Sequence, residues 1–504
     1  MLEFMNLKGK KGITILALAI TIIILLILAG ISISALTGDN GLIANAGNAK
    51  EQAEIDNEKE VLNIATTQAM GKDKYGDVRQ TELQTALDSN AGNGKTEVID
   101  NEDTLVVKFV DSRRYYEVDS NGNTSNPVEA IEDEYAGDLT KGGRCNGTEE
   151  KPYEINCIED LVTFSRDVNT GNNYSGKYIK LMRTLDFNSI FSYNNYDTTI
   201  YDVYLGGDGN IGLKEELTKG KGFKSIGNAN NSFKGIFIGN NKAIQNMYIY
   251  NETAAYQGFF GRINNAMIMD LKLNGQIDSI SYIGRAFGGI AGYGCGTLIN
   301  CDVSVEILNA PTVAGGIIGT VIGDTEIISC SSSSPLIINA NNWFGAGGGI
   351  IGCIEQSAEN KNIKVNIFNC SNIGNITVNT NMSTSIAGGI IGRIAQENNI
   401  VTIQNCYNIG ELKGANYIVY KGGIIGYGLE SINIENCYYL NNATNAVGNI
   451  SKDGAIAITE LQVQGQDDEL NLTEKLNLYI DDNEMNWRKW REENTKYPIF
   501  VDES

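Results

Sequence analysis

Gly288-Gly289-Ile290-Ala291-Gly292 and Gly315-Gly316-Ile317-Ile318-Gly319 are two copies of one five-residue phrase, and three more follow at 348–352, 388–392 and 422–426. The copies start 27, 33, 40 and 34 residues apart, and a diverged version, Gly258-Phe259-Phe260-Gly261, precedes them. After each comes a β-prone run that closes on a cysteine: Cys301, Cys330, Cys370, Cys406 or Cys437, preceded by Asn or Ser. Self-similarity at such a period is the signature of a stacked architecture. Two or three short strands per repeat cannot close a core alone. Coils stacked roughly 4.8 Å apart pair their backbones and bury one apolar column. The reading is a mainly β chain whose outer part is a right-handed parallel β-helix (solenoid). Gly288, Gly289 and Gly292 permit tight corners where strands change face, as do Gly315, Gly316, Gly319, Gly348, Gly349, Gly352, Gly388, Gly389, Gly392, Gly422, Gly423 and Gly426. The five cysteines, small and apolar, are expected as an inward ladder rather than as ligands or redox pairs.

This repeat resembles the GLUG motif of bacterial surface proteins, a Gly-Gly-apolar-apolar-Gly strand followed by an Asn-Cys-Tyr-like strand. The match covers residues 223–440, and the resemblance implies an adhesin-like solenoid outside the cell. Residues 144–222 read as an N-terminal cap with a loop excursion. There Asn156 and Glu159 have capping-box spacing, and Ile158, Leu161, Val162, Ser165 and Val168 share one helical face. Residues 178–181 and 184–187 read as strands. The tail, 441–504, carries Trp487, Trp490 and Tyr497-Pro498-Ile499-Phe500 and is expected to fold over the last coil. Carbohydrate stacking is the competing use for those tryptophans.

The amino end carries a different signal. Lys8, Lys10 and Lys11 precede Gly12, and Ile13 to Ser34 contains neither charge nor proline. As a helix that run spans the roughly 30 Å hydrocarbon layer, and the lysines place its start in the cytoplasm and the rest outside. The segment resembles the class III signal of type IV prepilins and pseudopilins. The resemblance implies cleavage and N-methylation between Gly12 and Ile13 by a prepilin peptidase, with pilus subunits as partners. The family's glutamate at the fifth mature position is here Ala17, which suits a tip or minor subunit. The domain reading is a leader (1–12), a transmembrane and pilin-like spine helix (13–70), a small β stem (71–123) and a linker (124–143). In the stem, 104–110 and 114–118 read as strands joined by Asp111-Ser112-Arg113.

Composition removes several functions. The 504 residues include no histidine, so Ser-His-Asp and Cys-His catalysis and His-containing zinc sites are excluded. A net charge of −22 argues against sequence-independent nucleic-acid binding, which needs a cationic face. The nine cysteines include no C-x-x-C pair; Cys145 and Cys157 are the candidates for a bridge, and buried free thiols are the competing reading. Polysaccharide lyases and glycosidases built on β-helices need converging carboxylates. The candidates Asp186, Asp202, Asp208, Asp270 and Asp302 are scattered, without a repeated D-x-D. Asp208-Gly209-Asn210 and Asp119-Ser120-Asn121-Gly122-Asn123 contain pieces of calcium loops but complete neither. No cofactor, metal or catalytic residue is expected. The reading is a single-pass, surface-exposed adhesion or interaction protein with an extracellular glycan or protein ligand. The alternatives are a polysaccharide-active enzyme and a pseudopilin of a secretion apparatus.

Overall fold

The computed structural model describes residues 42–73, 76–101, 104–112, 114–126, 128–129, 135–187, 222–250, 254–278, 285–340, 344–356, 362–380, 384–415, 418–440, 443, 445–464, 470–492 and 497–501. The leader, Lys8, Lys10, Lys11, Gly12, Ile13, Ala17 and the apolar run all lie outside the described residues. Among the described residues, no helix is long and apolar enough to cross a membrane. The chain forms two compact units, residues 1–130 and 131–504.

In the first unit, helix α1 (Leu42–Met70) turns Leu62, Ala65 and Ala69 inward at helical spacing. A second helix, α2 (Gln80–Asn90), buries Leu83, Ala86 and Leu87 against it. They cover an antiparallel sheet of β1 (Thr96–Asn101), β2 (Thr104–Phe109), β3 (Arg114–Asp119) and β4 (Val128–Glu129), in that order. The β2–β3 pair is the expected hairpin; α2, β1 and β4 go beyond the sequence reading. The Gln80–Asn90 segment is polar apart from three positions, and β4 is only two residues long. Arg114 ties helix to sheet through Glu54 and Glu58, both at 3.3 Å, while the Tyr116 hydroxyl donates to Glu58 at 2.6 Å.

The second unit is a stack of parallel strands of the β-helix kind. One coil shows the plan. Strand Gly345–Gly348 turns at Gly349-Ile350 into Ile351–Ile354, and Lys364–Phe368 continues the same side. The chain then turns at Asn369-Cys370 into Ser371–Asn372 and Ile376–Thr380, and Thr384–Gly388 opens the next coil directly above Gly345–Gly348. The glycine phrase therefore straddles a corner instead of forming one strand. Its corner isoleucines stack, Ile317 N–H donating to Ile350 O, Ile350 to Ile390 O and Ile390 to Ile424 O.

The stack is longer than the expected 223–440. Tyr153–Ile155, Tyr178–Leu181 and Ile236–Ile238 begin it, and Asn445–Val447 with Ala455–Ile458 finish it. Helix α3 (Ile158–Thr170) inserts Phe164 among Tyr174, Phe233, Phe237 and Phe260, so one apolar column runs from this helix through the coils. The expected Asn156/Glu159 capping box is replaced: the helix starts at Ile158, and its N-cap, Cys157, makes no side-chain cap bond. Cys157 is buried, and the capping role falls to Asp160, whose carboxylate accepts the Asn156 N–H and the Gly137 N–H, both at 2.8 Å. Lys141, 1% exposed, completes that carboxylate's shell at 2.7 Å. Leu139 and Lys141 are thus core residues, and β4 belongs to the first unit, so 124–143 is not a free linker.

Candidate interaction surface

The inside of the stack is given over to ladders. The first glycine of each phrase could not carry a Cβ: at Gly388 it would lie 1.8 Å from Ile391 O, and at Gly348 1.9 Å from Ile351 O. The second glycine faces the residue two past the cysteine; a Cβ on Gly349 would meet Asn372 Cγ at 2.3 Å and Gly389 O at 2.2 Å. None of the motif glycines has positive φ, so they are needed for close approach, not for an unusual backbone. The left-handed corner lies elsewhere. Asp270, Asn300, Ser329, Asn369, Asn405 and Asn436, each preceding the inward residue, take φ between 46° and 54°.

The inward residue is Cys301, Cys330, Cys370, Cys406 or Cys437, each fully buried. Each thiol donates to the carbonyl two residues back, for example Cys370 Sγ to Phe368 O at 3.1 Å, and the Cys370 N–H donates to Cys406 Sγ. All nine cysteines are free and buried, Cys145 and Cys157 among them. Burial pushes the Cys301, Cys330 and Cys406 thiols well up. Beside this ladder the corner side chains form a second one. Asn300 donates to Asp270 at 3.1 Å, Asn369 to Ser329 at 3.1 Å, Asn405 to Asn369 at 2.8 Å and Asn436 to Asn405 at 2.7 Å.

Outside the column, the glycine corner folds two outward rows toward each other. Tyr256, Ala286, Val313, Ala346, Ile386 and Tyr420 are in register along one strand stack. Arg262, Tyr293, Thr320, Cys353, Arg393 and Tyr427 are in register along the other. The rows meet in a crease: Val313, Ala346, Cys353 and Ile386 form a hydrophobic cluster separate from the main core. Tyr256 and Tyr293 stack at 4.2 Å near one end, and Tyr420 meets Tyr427 edge-on at 5.2 Å near the other. The third glycine lies in the crease, where a Cβ on Gly352 would meet Val313 Cγ1 at 2.6 Å and Ala314 C at 2.7 Å.

The tail does not sit over the last coil. Helices α4 (Glu460–Val463) and α5 (Leu472–Asp482) and the hairpin Trp490–Glu492/Pro498–Phe500 lie along the flank as a strap. The strap packs on Tyr407, Ile409, Tyr438 and Ile458. It also completes the asparagine ladder: Asn369 Nδ2 donates to Arg488 O at 2.8 Å, Trp490 Nε1 donates to Asn369 Oδ1 at 2.7 Å, and Asn405 Nδ2 donates to Leu476 O at 3.2 Å. Arg488 reaches several coils back to grip Asp302 with both terminal nitrogens at 3.2 Å. Trp490, 2% exposed, cannot stack on a sugar; Trp487 is half-buried between Phe368 and Tyr479. Under the strap's edge a cavity of about 250 Å3 remains, lined by Asp302, Ser331, Ser371, Tyr407, Arg488, Arg491 and Phe500 among others.

The acidic candidates are engaged one by one. Asp186 accepts from Asn246 at 2.8 Å, Asp270 from Asn300, and Asp302 from Arg488 and from Ser331 at 2.6 Å. Asp202 and Asp208 lie outside the described residues. Asp119 is a turn residue whose carboxyl is held below its usual range by the Asn123 side chain and then by backbone N–H groups. Among the described residues no cluster of three His, Cys, Asp or Glu is arranged to hold a metal ion.

No family model matches the chain. Over 200 residues it is 28% identical to Halomucin of Haloquadratum walsbyi, a match covering 39% of this chain and 2% of that protein. A crystal structure from Bacteroides ovatus, described as a candidate immunoglobulin A1 protease, superposes with a TM-score of 0.47 and 20% identity, covering 71% of this chain and 94% of the other. A superposition that loose carries no functional argument.

Proposed function

We propose that this chain is a surface-displayed interaction protein, anchored by a prepilin-like amino end, whose solenoid presents a binding flank outside the cell. The observation that carries the reading is the disposition of the polar side chains. Asparagines, serines and the described candidate carboxylates along the corner hold neighbouring coils or the strap, leaving the half-buried tyrosines at the two ends of the crease and the strap's edge as outward-facing features. A rigid rod whose polar groups brace its own rungs suits presentation better than turnover. α1 against a small antiparallel sheet gives a base of the kind a pilin-like subunit would need, and Ala17 suits a tip or minor subunit. The similarity to Halomucin, by its name a mucin-type protein, is in keeping with an extracellular setting. Expected partners are the membrane, a prepilin peptidase, pilus subunits and an extracellular glycan or protein, with no nucleic acid.

Mass spectrometry of the membrane-associated protein tests the anchoring, with an N-methylated Ile13 terminus expected. A mature form that retains Met1 would remove the prepilin assignment. Incubating the full-length protein with polysaccharides tests the rest, with retention and no products expected. Product formation abolished by one carboxylate substitution would establish an enzyme instead.

A further inference from the structure

The two ends of the stack are finished differently. At the start, α3 packs Phe164 against Phe233, Phe237 and Phe260 and closes the apolar column. At the far end the last strand, Ala455–Ile458, pairs in parallel with Cys437–Leu440 and, among the described residues, with no strand on its other side. Cys437 N–H donates to Gly454 O. That phase turns the backbone groups of Ile456 toward Cys437–Leu440 and those of Ala455 and Ala457 off the free edge. Natural edges are commonly blunted by proline, by charge or by a covering element. Here Ala455-Ile456-Ala457-Ile458 holds neither proline nor charge, and the described part of the strap follows the flank instead of crossing this edge. Ile456 is 57% exposed. Beside it a groove of about 500 Å3, bounded by Glu435, Asn436, Gly454, Ala455, Ile456 and Tyr479, opens to solvent.

We propose that this edge pairs with a second copy of itself, joining two molecules end to end through an antiparallel strand pair centred on Ile456. The segment is self-complementary in that register. Ala455 and Ala457 of one copy face Ala457 and Ala455 of the other, so their outward N–H and C=O groups bond one another. Ile456 meets Ile456 at the non-hydrogen-bonded position, where side chains come closest. Lys452 falls opposite the exposed Glu460 on both sides of the two-fold axis, with donors to spare beyond its bond to Glu430 O at 3.0 Å. A slip by two residues sets Asp453 or Thr459 against an alanine and parts Lys452 from Glu460. The chemistry therefore selects one alignment. With α3 across the opposite end, the pairing closes at two copies instead of growing into a fibre. It needs neither the membrane anchor nor an extracellular ligand, so it stands apart from the function proposed above.

The test uses the full-length protein in detergent, followed by sedimentation equilibrium and by crosslinking through an introduced cysteine. Ile456→Cys should give a disulfide-linked dimer with diamide, since the paired Cα atoms would lie about 4.5 Å apart. The two thiols lose two protons and two electrons, which reduce the diamide to its hydrazine. Ile400→Cys, at a position 55% exposed on another strand, should stay uncrosslinked. Ile456→Lys should weaken the dimer at least about tenfold and keep the circular dichroism of the wild type. Lys452→Glu and Glu460→Lys should each weaken it about tenfold, and the double exchange should restore it. Association through the amino-terminal segment is told apart because it would survive Ile456→Lys and give no crosslink at 456. A monomer up to about 100 µM, whatever else occupies the edge, would overturn the proposal. So would a dimer that survives Ile456→Lys, crosslinking no greater at 456 than at 400, or a double exchange no better than either single reversal.

Discussion

At the corner before each cysteine the backbone sits near φ 50°, and Asn405 shows why asparagine suits the place. Its short amide tolerates the left-handed region and also joins three partners, donating to Asn369 and Leu476 O and accepting from Asn436. Asn405→Gly keeps the backbone and loses the bonds, with an expected cost of about 1–3 kcal/mol. Asn405→Ala should cost roughly 1 kcal/mol more, because a methyl group is disfavoured in that region. Urea titration of the pair checks it; equal losses would mean that the left-handed backbone carries no penalty here. The glycines act differently. A methyl at Gly388 would stand 1.8 Å from a carbonyl oxygen flanked by stacked backbone on both sides, so Gly388→Ala should cost about 3 kcal/mol or prevent folding. Gly71→Ala, where the nearest atom is 3.5 Å away and φ is not positive, should change stability by less than about 0.5 kcal/mol or raise it.

Among the elements, the strap connects distant parts of the chain most directly. Trp490 stacks on Phe500 at 3.8 Å, meets Tyr407 edge-on at 5.3 Å and donates to Asn369. Trp490→Ala removes the ring and one of the two donors to Asn369 Oδ1, which keeps Asn405, at an expected cost of about 3–5 kcal/mol locally, most of it lost packing. The coils beneath keep their own backbone pairing, so the strap should loosen before the stack melts. Limited proteolysis should then cut within 470–500 while the coils survive. Cleavage spread evenly through the solenoid would show that strap and stack unfold together. The tail's aromatic residues were visible in the chain, yet their use was not: nothing local tells Arg488 that its partner is Asp302, 186 residues earlier. In contrast α3 was legible from the spacing of Ile158, Leu161, Ser165 and Val168, all buried. Its cap was misread because Asp160 and Lys141 form their pair only when the first coil closes.

Across the molecule, the buried thiols and phenols set a limit at alkaline pH. Cys301, Cys330 and Cys406 are held above the ordinary thiol value by burial, and Tyr407 above the phenol value for the same reason. A group that ionises less readily when folded keeps its full stabilising effect below its unfolded pKa. From these raised groups alone, unfolding free energy should therefore begin to fall as pH rises beyond about 8.5. Denaturant titrations at neutral and alkaline pH check the sign, and constant stability across them would contradict it. At pH 8 the nine buried cysteines should resist alkylation until denaturant is added, after which all nine should react.

A recurring glycine phrase with a cysteine beyond it is enough to dictate stacked parallel strands, because each repeat has too little apolar surface to close alone and every copy offers the same one. That logic is local and periodic, so it can be read from the order of residues. The route of the tail, the crease between the two outward rows and the cavity under the strap come from contacts between residues far apart in the chain. They follow from how many coils lie between the partners and which way each corner turns, and these quantities exist only once the coils have stacked.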